Sequence, residues 1–165
     1  MNLYKIPTHP DSPVVVNAIV EIPKGTSVKY EYDGDLELFK MDRILCSAMT
    51  YPASYGFIPN TLAEDNDPLD IVIYNSLPIN TGALVECNVL GVLDMIDKGE
   101  KDWKVIAAPT SHFRDYKDIS DIDNTFLKVC KNFFAHYKDL NGTDVSVLDW
   151  HDKQFAYDIV ESCVK

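Results

Sequence analysis

Short runs of β-branched and aromatic residues, separated by turn sequences, dominate the first two thirds of the chain. Residues 14–21 form an apolar run that ends at a Pro-Lys-Gly turn, which predicts a strand. Residues 28–32 alternate and are joined through Asp33-Gly34-Asp35 to residues 36–39, which predicts a hairpin. Further strands are predicted at residues 69–74, 83–93 (with Gly91 as a bulge or bend) and 103–108. Many short strands divided by turns are typical of a small barrel.

The hydrophobic period changes in the last third of the chain and indicates helices. One apolar stripe at helical spacing comprises Phe126, Val129, Cys130, Phe133, Phe134 and Tyr137. We expect this helix to be capped by Asp123 or Asn124 and to end near Asn141-Gly142. A second helix is predicted over residues 152–164. The expected fold class is mainly β (α+β), a small closed barrel with two flanking C-terminal helices, in a single domain over residues 1–165.

Composition and charge exclude several classes of protein. The 165 residues are 46% hydrophobic, which excludes intrinsic disorder, and no apolar stretch approaches the roughly 20 residues of a membrane span. The net charge of −11 argues against a nucleic-acid partner, because phosphate backbones need a basic surface. The N-terminus lacks the pattern of a secretory signal, so we expect a cytoplasmic protein. The four cysteines and four histidines form no zinc-binding pattern, and the cysteines are expected to be buried free thiols.

The most informative segment is an acidic loop in front of a predicted strand. Residues 64–70 carry four carboxylates, at Glu64, Asp65, Asp67 and Asp70, and Pro68 stiffens the chain between them. Oxygen ligands on a rigid frame suit a hard ion such as Mg²⁺. A solvated acidic turn is an equal alternative at this point. An EF-hand is excluded because Leu69 and Asp70 stand where an oxygen ligand and a glycine are required.

Other charged residues favour the metal-site hypothesis. Asp97 and Asp102 flank a predicted tight turn that is followed by Lys104, and Lys29 and Glu31 alternate onto one face of a strand. Arg43 lies in a mostly apolar stretch, and residues 51–57 add two tyrosines beside a proline and a glycine. Carboxylates that hold divalent ions, together with Lys, Arg and Tyr that bind a polyanion, are the composition expected for metal-assisted phosphoryl transfer to water.

The segment Asp65-Asn66-Asp67-Pro68-Leu69-Asp70-Ile71 resembles the signature of the family I soluble inorganic pyrophosphatases of bacterial type. Further matches occur in the same order from about residue 14 to residue 139, and they include Glu21-Ile22-Pro23, Lys29-Tyr30-Glu31, Asp42-Arg43, Tyr55-Gly56, Asp102 with Lys104, and His136-Tyr137-Lys138-Asp139. The resemblance implies an OB-like barrel and a Mg²⁺-dependent hydrolysis of pyrophosphate to two phosphates. Several ions per active site would be needed, and Mn²⁺ or Zn²⁺ could substitute for Mg²⁺.

The resemblance also implies a role for each matched residue. Asp65, Asp70 and Asp102 would hold the tight metal, with Asp70 shared by a second ion, and Glu21, Glu31 and Asp97 would be additional ligands. Asp67 would orient and deprotonate the attacking water. The phosphoryl groups would be held by Lys29, Arg43, Tyr55, Lys104, Tyr137 and Lys138. Periodicity alone assigns Tyr137 to the core, so only the resemblance places it in the site.

Assembly and two rival functions complete the expectations. The short chain, without the long extensions of dimeric relatives, leads us to expect a homohexamer built from two trimers. An oligonucleotide-binding barrel would need a basic groove with exposed aromatic residues, which this chain lacks. An acidic calcium-buffering protein would leave Arg43 and the paired tyrosines without an explanation.

Overall fold

The computed structural model describes residues 1–165 and contains nine strands and two α-helices. The strands are β1 (Val15–Ile22), β2 (Val28–Asp33), β3 (Leu38–Ile44), β4 (Ser54–Phe57), β5 (Asp70–Ile73), β6 (Leu84–Asp97), β7 (Glu100–Lys101), β8 (Lys104–Pro109) and β9 (Val145–His151). The helices are α1 (Asn124–His136) and α2 (Lys153–Cys163). No helix is long and apolar enough to cross a membrane.

Five of the strands form a closed ring of hydrogen-bonded neighbours. The order is β1–β4–β5–β8–β6, and β6 pairs back onto β1. All of these pairs are antiparallel except β5 and β8, which run parallel and place Asp70 opposite Lys104. The short β7 and β9 extend the sheet from β6, whereas β2 and β3 form a separate two-stranded sheet. The predicted mainly β fold with an OB-like closed arrangement and two C-terminal helices is confirmed.

Successive side chains of the ring strands point alternately into two hydrophobic clusters, one packed against α2 and the other against α1. On β5, Ile71 and Ile73 pack in the cluster that includes α2 residues, whereas Val72 packs in the cluster that contains α1 residues. Because side chains two residues apart share a face, Asp70 lies on the same face as Val72. Tyr55 and Phe134 belong to that second cluster. The face of the ring that packs against α1 therefore carries aromatic side chains and, at the start of β5, the acidic side chain of Asp70.

Three strands were not predicted: the two-residue β7, which pairs with β6 across a turn, and β4 and β9, which depend on tertiary pairing. β4 has the sequence Ser-Tyr-Gly-Phe, without β-branched residues, and is fully buried between β1 and β5. A Cβ at Gly56 would lie 1.8 Å from the Ile19 carbonyl oxygen, so only glycine permits this close pairing. β9 joins the sheet through β6. The predicted bulge at Gly91 is confirmed, because the β6–β8 register shifts between Val89 and Gly91.

Three local predictions need correction. The first helix begins after an Asp123 cap as expected but ends at His136, and a separate 3-10 turn, Asp139–Asn141, carries the chain to Gly142 in the left-handed region. The turn of the β2–β3 hairpin is longer than predicted, because residues up to Glu37, which has φ 54°, belong to it. Cys46 is exposed, since it follows the end of β3 outside both cores, whereas the other three cysteines are buried free thiols.

Candidate active site

A cavity of about 850 Å³ lies between the ring, the β2–β3 hairpin, the acidic loop and the C-terminal end of α1. Its lining contains ten carboxylates and four lysines. Twelve of the thirteen predicted site residues line it: Glu21, Lys29, Glu31, Tyr55, Asp65, Asp67, Asp70, Asp97, Asp102, Lys104, Tyr137 and Lys138. The fold thus gathers residues from seven different segments of the chain around one polar cavity.

Lys104 occupies the centre of the acidic cluster. Its Nζ donates hydrogen bonds to Asp70 Oδ2 and to Asp102 Oδ1, each at 2.5 Å, and its side chain is only 4% exposed. Burial by itself would lower the pKa of Lys104, but the two carboxylates outweigh burial and raise the pKa well above its usual value. Burial raises the pKa of Asp102, against the opposing charge of Lys104. The lysine therefore stays charged and holds the two acids together.

The acidic loop presents Asp65 and Asp67 on its exposed side. Asp65 Oδ1 accepts a hydrogen bond from the Asp67 N–H at 3.0 Å, and Asn66 between them has φ 69°. The loop is anchored by the Thr61 hydroxyl, which accepts from the Leu69 N–H at 2.9 Å. Desolvation raises the pKa of Asp67, and the charges of Asp65 and Asp70 add to the rise. The loop is therefore an ordered turn whose two exposed acids, Asp65 and Asp67, line the cavity.

Glu21 lies on β1 where the β1–β4 register shifts between Val20 and Ile22. Its Oε1 accepts a hydrogen bond from the Tyr32 N–H at 2.8 Å. Burial raises the pKa of Glu21 to about 8; the Tyr32 hydrogen bond opposes this rise and the charge of Asp70 adds to it. Glu21 is consequently a carboxylate whose negative charge is poorly compensated within the chain alone.

The β2–β3 hairpin supplies a second charged group to the cavity. Lys29 forms a hydrogen-bonded ion pair with Glu31 on the same face of β2, and its Nζ lies 3.2 Å from Asp42 Oδ2. Burial alone would lower the pKa of Lys29, but Glu31 and Asp42 raise it. Arg43 sits opposite Lys29 and pairs with Asp42 at 3.3 Å, yet it does not line the cavity. Arg43 therefore lies next to two residues of the cavity lining, Lys29 and Asp42, without being part of the lining itself.

The remaining wall combines an ion pair with aromatic rings. Lys138 pairs with Asp97 Oδ2, and Asp97 Oδ1 is buried without any hydrogen-bond partner. The Nζ of Lys104 lies 5.6 Å from the ring centre of Tyr55, and the Nζ of Lys138 lies 5.3 Å from that of Tyr137. Tyr137 is buried in the α1 core, as periodicity predicts, and it also lines the cavity; its role in substrate binding stays a prediction.

The donor set fits hard divalent cations. All of the candidate ligands are carboxylates, which suit Mg²⁺, and the orphaned Asp97 Oδ1 is a buried acceptor that lacks a cation or donor. Within the chain alone, no group of three or more acidic, His or Cys side chains is arranged to hold a metal ion. Lysines occupy the intervening space instead, since Lys29, Lys104 and Lys138 each pair with a carboxylate of the cavity.

Several cavity residues were not predicted as site residues. They are Asn2, Tyr4, Tyr32, Asp33, Gly34, Asp35, Lys40, Met41, Asp42, Tyr51, Phe57, Pro68 and Phe134. Lys40 and Asp42 could have been found, because they alternate along the partner strand of Lys29 and Glu31. Tyr4 lies far from the other site residues in sequence, and no local pattern marks it.

Comparison with known proteins gives a consistent result. The sequence model of inorganic pyrophosphatase matches residues 18–165. An inorganic pyrophosphatase of Halalkalibacterium halodurans is 44% identical over 92% of this chain and 94% of its own length. One from Campylobacter jejuni is 42% identical over 100% of this chain and 98% of its own length. The crystal structure of inorganic pyrophosphatase from Thermus thermophilus superposes with a TM-score of 0.95 at 40% identity, covering 99% of this chain and 97% of that one.

Proposed function

Since the chain belongs to the inorganic pyrophosphatase family, which hydrolyses pyrophosphate to phosphate, we propose that the cavity is the site of this reaction and that the reaction depends on Mg²⁺. The observation that carries the proposal is the meeting of the predicted carboxylates from five chain segments with buried Lys104 in one cavity. Carboxylates bind the cations and lysines bind the anion, so both halves of a metal–pyrophosphate complex find their complementary groups.

We propose that Asp65, Asp70 and Asp102 hold the tightly bound ion and that Asp70 is shared with a second one. Glu21, Glu31 and Asp97 would hold further ions, and the poorly compensated charge of Glu21 and the orphaned Asp97 Oδ1 support this. Several Mg²⁺ ions would act in each active site, with Mn²⁺ or Zn²⁺ as substitutes. Bound divalent ions lower the pKa of water and neutralise phosphate charge.

Asp67 is proposed to be the general base. It lines the cavity, and in the metal-free chain burial and the charges of Asp65 and Asp70 raise the pKa of its carboxyl. A water oxygen attacks one phosphorus while its proton passes to Asp67. The bridging P–O bond then breaks, and the second phosphate leaves with the bond's electrons. Asp65 accepts a hydrogen bond from the Asp67 backbone and so fixes this segment of the loop.

Substrate oxygens are proposed to be held by the cations and hydroxyls that face the acids. Lys29, Lys104 and Lys138 supply positive charge, and Tyr55 and Tyr137 supply hydroxyl donors at the cavity wall. Burial raises the pKa of Tyr55 well above its usual value, so it remains a neutral donor throughout the physiological range. Arg43 is also proposed to hold substrate; it lies outside the lining, but it stands opposite Lys29 and pairs with Asp42, which both line the cavity.

We further propose a homohexamer of two trimers in the cytoplasm. Exposed apolar side chains, among them Leu38, Leu77 and Leu140, offer surface for subunit contacts. The four free cysteines suit a reducing compartment. Light scattering of the purified protein tests the assembly: a mass six times that of the chain is expected, and a monomer or dimer would contradict the hexamer.

Phosphate release from pyrophosphate tests the proposed function directly. The purified protein is assayed with excess Mg²⁺ and again with EDTA. We expect rapid release that chelation abolishes and that added Mg²⁺ restores. Release that survives EDTA would overturn the metal requirement. A folded protein that is inactive with Mg²⁺, Mn²⁺ and Zn²⁺ would overturn the enzyme assignment.

A further inference from the structure

The β2–β3 hairpin is a separate two-stranded sheet, so contacts other than strand pairing must hold it against the ring. Its two strands pair only with each other, although they carry Lys29, Glu31 and Asp42 of the cavity wall. The N-terminal turn Leu3–Lys5 lies against the hairpin and contributes Leu3 and Tyr4 to a small apolar cluster around Tyr32 and Phe57. This turn bridges the hairpin and the ring.

The N-terminal turn is hydrogen-bonded to the hairpin at Tyr32. The Tyr4 hydroxyl donates a hydrogen bond to the Tyr32 carbonyl at 2.7 Å, and the Tyr32 hydroxyl accepts one from the Leu3 N–H at 3.0 Å. The Tyr32 N–H in turn donates to Glu21 Oε1 at 2.8 Å. The carbonyl of Tyr32 is thus bound by Tyr4, and its N–H is bound by Glu21, a carboxylate of the cavity.

Tyr4 is itself fixed to the ring. The Tyr4 carbonyl accepts a hydrogen bond from the Asn60 N–H at 2.9 Å. The centre of its phenol ring lies 5.0 Å from the ring centre of Tyr32 and 5.1 Å from that of Phe57 on β4. Gly34 in the hairpin turn approaches so closely that a Cβ there would lie 2.6 Å from the Tyr4 ring. The position of Tyr4 is therefore determined on both sides by packing.

We propose that Tyr4 is a positioning residue for Glu21, acting through the backbone of Tyr32. The inference rests on the proposed function, in which Glu21 holds a metal ion. Glu21 Oε1 is committed to the Tyr32 N–H, whereas Oε2 makes no hydrogen bond in the chain and stays available to a cation. The N–H and C=O of one strand residue point to the same edge of the strand, so by holding the Tyr32 carbonyl Tyr4 keeps the Tyr32 backbone where its N–H reaches Glu21. This fixes which oxygen of Glu21 faces the metal.

The test compares Tyr4→Phe with Tyr157→Phe. The first variant removes only the hydroxyl that binds Tyr32. The control removes a hydroxyl outside the cavity that makes no hydrogen bond. In metal-free protein, amide exchange at Tyr32, followed by NMR, is expected to accelerate about fivefold in Tyr4→Phe, as the loss of one hydrogen bond implies. In the active enzyme, the Mg²⁺ concentration for half-maximal phosphate release is expected to rise by a similar factor, with kcat at saturating Mg²⁺ within about twofold of wild type.

Glu21→Gln, measured in parallel, separates the inference from the proposed function. If Glu21→Gln raises the Mg²⁺ requirement and Tyr4→Phe does not, or if exchange at Tyr32 is unchanged, Tyr4 has no positioning role. If Glu21→Gln leaves the Mg²⁺ requirement unchanged, Glu21 is not a metal ligand, and the inference falls with that assignment while phosphate release itself persists. Equal effects of Tyr4→Phe and Tyr157→Phe would also overturn the inference.

Discussion

Lys104 and Asp70 lie directly opposite each other on the parallel strands β8 and β5, and their charged atoms are 2.5 Å apart. This register is set by the apolar residues that follow, since Ile71 pairs with Val105 and Val72 with Ile106 in the ring. The packing of the core thereby decides which acid meets the buried lysine. Asp102 reaches the same ammonium from two residues earlier in the chain.

Replacing Lys104 by methionine is expected to destabilise the metal-free protein by about 3 kcal/mol, as for a buried ion pair that loses one partner. The side chain fills a similar volume, but Asp70 and Asp102 lose the cation between them. Urea unfolding in EDTA measures the change. Lys131→Met, which removes an exposed pair with Asp149, is the control and should leave the midpoint nearly unchanged. Equal midpoints for the two variants would show that Lys104 does not hold the acids together.

Asp67→Asn is expected to lower the rate of phosphate release by at least about 100-fold while the fold is retained, because the amide cannot accept the proton of the water. Steady-state kinetics at saturating Mg²⁺ and pyrophosphate gives the rate. Glu64→Gln, in the same exposed loop but outside the cavity lining, should keep nearly full activity. Near-normal turnover in Asp67→Asn would remove this residue from the role of general base.

Mg²⁺ is expected to stabilise the protein against unfolding, because it binds the folded cavity and not the unfolded chain. At a Mg²⁺ concentration 100 times the dissociation constant, the free energy of unfolding should rise by about 2.7 kcal/mol. Thermal unfolding with MgCl₂ and with NaCl at equal ionic strength separates binding from screening. Asp70→Asn should show a smaller Mg²⁺ effect. The same midpoint in both salts would contradict a metal site.

Asp123 is expected to stabilise α1 in a pH-dependent manner. The Thr125 N–H and the Phe126 N–H donate to its Oδ1 and lower its pKa from the usual 3.8. The stabilisation is therefore complete above the unfolded pKa and is lost as the pH falls through the lower folded pKa. The difference in melting temperature between wild type and Asp123→Ala should be largest near pH 7 and shrink below pH 3.8. In Asp123→Asn, whose cap is neutral, the difference from Asp123→Ala should not vary with pH; a constant difference for wild type would contradict the assignment.

Much of the candidate site could be predicted from local sequence because its acids follow strand and turn signals. The loop before β5 and the turn between β6 and β8 carry their carboxylates at positions that the apolar strands fix. Arg43 shows the limit of this reasoning. Its position on β3 depends on where the hairpin turn ends and on a register shift between Lys29 and Tyr30, and neither has a clear local signal.

The sequence by itself determined the mainly β class, the two helices and the acidic motif, because hydrophobic period, turn residues and charge act over a few neighbouring residues. Only the tertiary structure decided the closure of the ring through the unpredicted β4, the pairing of Lys104 with Asp70, and the contact of Tyr4 with Tyr32. Those features depend on strand register and on packing between segments that are distant along the chain. Their energies come from burial and hydrogen bonds that no local segment can form alone.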